Sequence, residues 1–504
     1  MISKVSSAIP YGYEGRLVEV EGDMNRGLPA FNIVGMANKT INEAKERVKS
    51  ALTNSGFTFP DKRVTINLAP ADLLKDGSFL DLPIALSILI LSNQLLEDEV
   101  KNRLFVGELS LNGELREIKG IINILEAAKS ANISEVYLPY KNFEQASLIS
   151  GIKIIGVKNL RDLFLHLKKE KEIKNPEIVV KNTKTETNGP IFDHIRGQSF
   201  AKRALSIAIA GHHNILISGP PGAGKTLLAR AAANLLPDLS IEEKIAITKI
   251  HSIANNSSEV VTTRPFRSPH HTASSVSIIG GGSHAEPGEI SLAHLGVLFL
   301  DEIPEFHRSV LEALRQPLED KFISISRANQ KSIYPADFML NATMNPCPCG
   351  YAGDPTHQCT CNSNQILAYT KKLSGPLFDR IDMNISVNKV DNSDLLKPLE
   401  NSTKEHTVVK NKIKEAIDRQ RARYHKTDFY NSSLSSHQVS TLLKLSKSAE
   451  QFLYNASKKL DLSARSYFKV IKVAQTIADL DGTPEITEKE IAESLNFRKR
   501  PNNP

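Results

Sequence analysis

The sequence predicts an α/β protein in three parts: a mixed N-terminal unit, a central parallel-sheet unit and an all-helical end. Three observations carry this reading. A glycine-rich loop, Gly219 to Thr226, lies between an apolar strand pattern, Asn214 to Ile217, and a helical run, Leu227 to Ala233. A second apolar strand, Val297 to Leu300, ends in two carboxylates, Asp301 and Glu302. From Asn392 onward strand patterns disappear, and apolar residues recur at helical spacing.

At 504 residues the chain is too long for one ordinary domain and suggests two to four. With 40% hydrophobic and 24% charged residues it has an ordinary soluble composition. A net charge of +7 mildly favours an anionic partner but, spread over so large a surface, does not specify nucleic acid. Met1 to Gly22 lacks the blocks of a signal peptide. The longest apolar run, Leu82 to Leu91, is interrupted by Pro83 and Ser87. It falls well short of the ~20 residues that span a bilayer. A cytoplasmic protein with no membrane partner is expected.

Residues 1 to 166 alternate short strands and helices. Arg16 to Glu21, Arg63 to Leu68, Leu104 to Leu109 and Glu135 to Leu138 read as strands. Thr40 to Asn54 reads as a helix with Ala44, Val48 and Ala51 on one face. Residues 167 to 190, polar and lysine-rich, read as a linker. Residues 191 to 390 alternate apolar strands, helices and glycine turns, and 391 to 504 are helical. In that last part Val470, Ile471, Val473, Ala474, Ile477 and Ala478 share a face, and Thr487 with Glu490 predicts a capping box. There is no long internal repeat.

Gly219, Pro220, Pro221, Gly222, Ala223, Gly224, Lys225 and Thr226 complete a P-loop pattern. Its glycines let backbone N–H groups turn inward on phosphate oxygens, and the helix start adds its positive dipole end. Lys225 is expected to reach the β- and γ-phosphates, and Thr226 to hold Mg²⁺. Asp301 would bind that Mg²⁺ through water, and Glu302 would activate the attacking water.

This order of motifs resembles the AAA+ superfamily. Asp193 to Gln198 is similar to its adenine-side motif, and Asn345, after the strand Phe338 to Leu340, to its sensor-1 residue. The same asparagine also suits an Asn-Pro turn. Arg380, in Ser374 to Asp382, resembles an arginine finger, which would reach a neighbouring subunit's nucleotide; an ion pair with the adjacent aspartates is the plainer reading. Arg465, at the start of a lid helix, resembles sensor 2, or is a surface arginine. A trans-acting arginine implies head-to-tail contacts, and the resemblance implies a hexameric ring.

The block Arg264-Pro-Phe-Arg267-Ser-Pro-His270-His271, with Gly280 to Gly282 and Pro287 to His294, is similar to the magnesium-chelatase-like group, where it forms an insertion in the second helix. Phe322 to Arg327 and Ser332 to Met339 resemble a second hairpin before sensor 1. Phe31 to Ala37, Val64 to Asp72 and Asp81 to Ala85 resemble the Lon-protease-like (ribosomal S5 domain 2-like) α+β domain fused to the AAA+ core in the YifB/ComM family.

The implied architecture is an AAA+ P-loop ATPase core with a C-terminal helical lid. The implied function is an ATP-dependent DNA motor for branch migration in recombination and natural transformation, with recombination proteins as further partners. Apolar residues occupy the expected places of the protease's serine (Phe79 to Leu80) and lysine (near Ile122). Ser78 and Lys119 are the remaining candidates, and a non-catalytic domain is expected.

Cys347, Cys349, Cys359 and Cys361 suit a structural Zn²⁺, with His357 as a substitute ligand, or are four reduced cysteines in a loop. Arg264, Arg267, His270, His271, Lys321, Arg327 and Lys331 are candidates for sequence-independent contacts to branched or single-stranded DNA; subunit bridging or hydrogen-bonded turns are the alternatives. Three other functions compete: a magnesium-chelatase-type motor subunit, a protein-remodelling AAA+ chaperone, and a nucleotide-gated scaffold.

Overall fold

Alternating burial along the first two strands sets the N-terminal sheet. β1 (Ile2–Tyr11) and β2 (Glu14–Asn25) form an antiparallel hairpin that turns at Gly12, where φ is 58°. The computed structural model describes residues 2–35, 39–73, 75, 78–175, 189–254, 259–282, 285–327, 330–354, 357–390, 405–427 and 429–498, without the side chains of residues 39–42, 327 and 330. The chain continues through β3 (Ala30–Val34), α1 (Lys39–Asn54), β4 (Arg63–Ala69), α2 (Asp81–Leu91) and β5 (Arg103–Phe105). Then come β6 (Glu108–Leu109), β7 (Leu115–Arg116), α3 (Ile121–Ser130), β8 (Glu135–Pro139), α4 (Phe143–Ala146), β9 (Lys153–Val157) and α5 (Leu160–Leu167). Seven strands join in the order β3-β4-β2-β1-β5-β8-β9.

The apolar run Leu82 to Leu91 is α2, buried along its whole length. Pro83 is tolerated there because first-turn N–H groups have no helical partner. Among the described residues, no helix is long and apolar enough to cross a membrane.

The single strand expected over Leu104 to Leu109 is two, β5 and β6. Between them the backbone changes partners: Val106 N–H donates to Tyr137 O at 3.0 Å and Gly107 N–H to Phe79 O at 3.0 Å. The polar segment after α5 stays on this sheet as far as Asn175. Its amide accepts from Gly156 N–H at 3.0 Å and donates to Ile154 O at 2.8 Å.

The central unit runs α6 (Ser199–Gly211), β10 (Ile215–Ser218), α7 (Lys225–Ala233), α8 (Ile241–Ala254), β11 (Phe266–Arg267), α9 (Ser275–Ile279), β12 (Gly280–Gly281), β13 (Glu286–Pro287) and α10 (Glu289–Leu292). It continues with β14 (Val297–Leu300), α11 (Arg308–Ala313), α12 (Arg315–Asp320), β15 (Phe322–Arg327), β16 (Gln330–Pro335), β17 (Met339–Met344), α13 (Ser363–Lys371), α14 (Gly375–Phe378) and β18 (Met383–Ser386). Five strands form a parallel sheet in the order β11-β14-β17-β10-β18. Both faces are covered, so apolar residues dominate its strands, with Asn341, Thr343 and Asn384 as buried polar residues among them. Ile215 and Ile217 pack toward α6 and α7, whereas Leu216 packs in the opposite core with Leu298, Leu300 and Leu340.

The antiparallel hairpin of β15 and β16 ends at Pro335. The segment expected to run to Met339 is therefore divided, because Met339 opens β17 in the central sheet.

Among the described residues five further α-helices follow: α15 (Glu405–Tyr424), α16 (Ser436–Leu442), α17 (Lys447–Lys459), α18 (Ala464–Asp481) and α19 (Glu488–Asn496). The expected capping box is present, with Thr487 N–H donating to Glu490 at 2.7 Å. Val473, Ile477 and Phe497 share one core with α6 and the sheet. A polar cluster pins the same junction. Asp382 accepts from Lys469 at 2.7 Å and from Asn214 N–H at 2.9 Å. Burial alone would raise its carboxyl, but Lys469, His213 and that N–H hold it well below the usual carboxylate range.

The N-terminal unit touches the central one through Tyr13. The Lys249 ammonium sits 4.0 Å from its ring centroid, and the Tyr334 ring meets it edge-on at 6.4 Å. Burial pushes the Tyr13 hydroxyl up to about 12. Gln145 adds a 2.8 Å hydrogen bond to Glu259 O.

Burial also lowers His213 and His294 to about 4 from an ordinary 6.5. The unfolded chain takes up these protons below pH 6.5, whereas the folded chain resists until near pH 4. Their contribution is therefore complete above pH 6.5 and is lost as pH falls through that window, by about 1–3 kcal/mol per histidine. Urea melts at pH 7 and pH 5 should show the fall, and His213→Gln should make it shallower; an unchanged slope in that variant would reject this assignment.

Candidate functional site

The sheet's parallel strands carry the candidate groups to one edge. β10 runs into the glycine loop and α7 leads away from it. Gly222 and Gly224 have φ of 79° and 80°, a region that favours glycine, and a Cβ on either would meet nothing within 4 Å. Gly219 is required for another reason: a Cβ there would lie 2.4 Å from Val387 O. The buried Lys225 ammonium donates to Gly219 O at 2.7 Å, Pro220 O at 3.0 Å and Asn345 Oδ1 at 3.0 Å. Burial lowers its pKa, with Asp301 and Glu302 acting the other way.

Asp301 and Glu302 follow β14 directly. Thr226 donates to Asp301 at 3.0 Å, placing a hydroxyl and a carboxylate side by side. These are hard oxygen donors of the kind Mg²⁺ takes, next to loop N–H groups suited to phosphate. Glu302 adopts a left-handed φ of 52° although it is not glycine. Asn345 donates to its carboxylate at 3.1 Å, so one amide joins Lys225 to Glu302.

Sequence reasoning missed Thr343. Its hydroxyl donates to Asp301, and it accepts from Glu302 N–H at 3.0 Å. The available signal was a threonine two residues before Asn345 in an otherwise largely apolar strand, which puts both on one face.

Beside the glycine loop lies a cavity of about 360 Å³, lined by Ile195, Arg196, Gln198, Leu227 and Lys389 among others. Gln198 spans it, donating to Asn388 O at 2.6 Å. Asp193, from the same expected motif, instead accepts from His406 N–H at 3.1 Å and ties down α15.

Arg380 pairs with neither adjacent aspartate. Its guanidinium meets Glu319 at the end of α12, and Arg465 reaches the other oxygen of that carboxylate at 2.9 Å. The two arginines thus lie together, and none of their hydrogen bonds or ion pairs involves Lys225, Thr226, Asp301 or Glu302.

The DNA candidates separate. Arg264 is a correction: its side chain is 7% exposed, bidentate to Glu243 at 2.7 and 2.8 Å, and bonded to Pro237 O and Leu295 O. It ties the start of its segment to α8, to Pro237 and to the turn before β14, and is not offered to a DNA surface. Arg267 is also internally committed, bidentate to Glu289 at 2.6 and 2.7 Å. Lys321 pairs with Asp337 at 2.9 Å across the hairpin base. His270 and Lys331 are exposed, and His271 is half-buried against His270 with ring centroids 4.2 Å apart. The Arg327 side chain lies outside the described residues.

All four cysteine sulfurs lie within 4.8 Å of one another. Four soft thiol ligands in one cluster fit Zn²⁺. His357 stays outside the cluster and stacks on Tyr351 at 4.9 Å. In the N-terminal unit Ser78 donates to Glu108, whereas Lys119 lies 3.8 Å from Glu286 of the central unit. The two candidates take different partners and do not form a serine–lysine pair.

A glycine loop, an acidic strand end and a polar residue on the intervening strand, set in this sheet order, define a P-loop module of the AAA+ class. Comparison with known proteins narrows the class. The family profile "Magnesium chelatase, subunit ChlI" matches residues 191–395. "Subunit ChlI of Mg-chelatase" matches 20–142, and the corresponding C-terminal profile matches 403–498. The chain is 41% identical to the competence protein ComM of Haemophilus influenzae over 500 residues, covering 98% of this chain and 97% of that protein. It is 38% identical to YifB of Escherichia coli over 504 residues, covering 99% and 97%. A magnesium-chelatase 67 kDa subunit of Chlorobaculum parvum is 26% identical over 159 residues, 31% of this chain and 23% of that one. The chain belongs to the YifB/ComM family of magnesium-chelatase-like AAA+ proteins.

Thr343→Val should keep the fold but leave Glu302 N–H without its acceptor and Asp301 with Thr226 as its one remaining hydroxyl donor. Loss of such a supporting contact should lower ATP turnover about 10- to 100-fold with a smaller effect on nucleotide binding. Steady-state kinetics beside a binding isotherm measure both; unchanged turnover would remove Thr343 from the site.

Proposed function

We propose that this protein is an ATP-driven motor that works as a head-to-tail ring, of six subunits by family analogy, and moves branched DNA. The observation that carries the reading is the connected set Lys225–Asn345–Glu302 and Thr226–Asp301–Thr343. Lys225 and the loop N–H groups hold the triphosphate, Thr226 and Asp301 hold Mg²⁺, and Glu302 orients and deprotonates the attacking water beside Asn345.

Arg380 and Arg465 support the ring. Both are drawn to one partly exposed carboxylate, Glu319, rather than to the nucleotide groups of their own chain. A neighbour's γ-phosphate carries more charge than Glu319 and is the stronger partner for both. The C-terminal helices then act as a lid that presents Arg465 across the subunit boundary. The N-terminal unit is read as a Lon-like domain without peptidase chemistry. The cofactors are ATP and Mg²⁺, with a structural Zn²⁺ at the cysteines.

Likeness to the competence protein over nearly the whole chain supports DNA branch migration in the cytoplasm, with recombination proteins as partners. Lys331, His270 and His271 remain as the phosphate-facing candidates. A chelatase-type motor is the second reading, favoured by the three matching profiles. ATP-dependent processing of a synthetic Holliday junction separates the two: the DNA motor resolves it into duplex products and a chelatase subunit leaves it intact.

Lys225→Ala should fold and lose ATP binding; normal binding would remove the glycine loop from the site. Arg380→Ala should bind ATP and hydrolyse it about 10³-fold more slowly. Mixing the two inactive variants should restore part of the turnover, since some interfaces would join an intact loop to an intact arginine. No recovery at any mixing ratio would argue that Arg380 does not act across subunits.

A further inference from the structure

The cysteine loop begins at the catalytic edge. Cys347 lies two residues after Asn345, the side chain that joins Lys225 to Glu302. Its sulfur lies 3.3 Å from that of Cys349 and 3.7 Å from that of Cys359, and the last two are 3.5 Å apart. A tetrahedral Zn²⁺ with bonds of about 2.3 Å sets its sulfurs about 3.8 Å apart, so the cluster is already near ligand spacing. Backbone N–H groups of Ala352 and Cys349 donate to the sulfurs of Cys347 and Cys361 at 3.2 and 3.4 Å.

The span between the ligand pairs lies on the nucleotide pocket. Gly350 has φ of 87°, and a Cβ there would lie 2.7 Å from the ring of Pro221 in the glycine loop. Further along, the carboxylate of Asp354 is 3% exposed and bonds the Lys389 ammonium at 3.1 Å. That ammonium also sits 5.3 Å from the Tyr351 ring centroid, and Lys389 lines the cavity beside Gly222 and Gly224. Among the described residues no helix or strand lies between Met344 and Ser363. A metal on the two ends of such a span would close it and limit the shapes open to it.

We propose that this loop is a zinc-held latch on the nucleotide pocket. One Zn²⁺ on Cys347, Cys349, Cys359 and Cys361 seats Gly350 on Pro221 and Asp354 on Lys389, and its occupancy sets the affinity for ATP. The latch rests on the reading of the glycine loop as an ATP site.

The test uses full-length protein. Metal content is measured per chain, Co²⁺ substitution is followed by its thiolate absorption bands, and ATP binding is measured by equilibrium dialysis before and after chelation and again after Zn²⁺ return. The expected result is one zinc per chain, four-thiolate cobalt bands, and ATP binding that weakens about tenfold on chelation and recovers with Zn²⁺. Cys349→Ser should lose both metal and affinity. Because that variant risks the local fold, Asp354→Asn is the second arm: it should keep its zinc and circular dichroism yet bind ATP several-fold more weakly. A chain that neither holds nor takes up zinc or cobalt overturns the metal site. Full zinc occupancy with ATP affinity indifferent to chelation and to Asp354→Asn overturns the latch. Zinc-loaded wild type that binds ATP no better than Lys225→Ala defeats the nucleotide reading and the latch together, and leaves the metal site standing.

Discussion

The register of β17 between β14 and β10 is the constraint on which the site depends. Leu300 pairs with Ala342 on one side and Ser218 with Met344 on the other. That pairing ends β10 level with β17 and β14 two residues earlier, so Asp301, Gly219 and Asn345 all leave the sheet at one edge. Open parallel sheets bind ligands outside this carboxyl edge. A slip of one residue would turn Thr343 and Asn345 to the opposite face and put apolar neighbours beside Asp301. Apolar residues on both faces of β10 and β14 resist that slip, because a shifted strand would unpack two cores at once.

Charge at the site is organised by partners on distant elements. Lys225 is buried, yet it keeps three oxygen acceptors, and two carboxylates act against the loss of its proton. Asn345 can serve both neighbours because an amide offers an acceptor to Lys225 and a donor to Glu302. An aspartate there would repel Glu302, and a leucine would leave both groups short of a partner. At the junction with the C-terminal helices Asp382 plays a comparable part. It meets Lys469 from α18 and Asn214 from the start of β10, so the helices are fixed to the strand that feeds the glycine loop.

Local backbone chemistry made part of this visible in the sequence. The glycine loop between strand and helix, the two acids closing an apolar strand, and the Thr487–Glu490 cap each depend on residues a few positions apart. Pairings over longer distances were hidden. Arg264 and Arg267 looked like a basic patch because their acidic partners, Glu243 and Glu289, lie 21 and 22 residues away on separate helices. Arg380 stands beside Asp379 and Asp382, but its partner, Glu319, is 61 residues distant. Periodicity also could not show that Val106 and Gly107 exchange partners in the middle of an apolar run, since alternation reports which face is buried and not which strand is bound.

The same long-range pairing joins the arginines to the hairpin. Glu319 lies in the last turn of α12, and Lys321, two residues on, closes the base of β15 and β16 through Asp337 and through Ala336 N–H at 2.8 Å. At the other side of that base Tyr334 packs with Tyr13 of the N-terminal unit. Glu319 therefore stands at the head of a continuous path from the arginine pair through the hairpin to the N-terminal sheet. Adjacency becomes coupling only when an element on the path has two arrangements that a ligand distinguishes. The arginine pair meets that condition if its partner changes from Glu319 to a neighbour's phosphate, because the freed carboxylate then sits uncompensated beside the hairpin's own salt bridge. Lys321 is two residues along the chain, and any turn of its ammonium toward that carboxylate would loosen the link to Asp337 that holds the hairpin base shut.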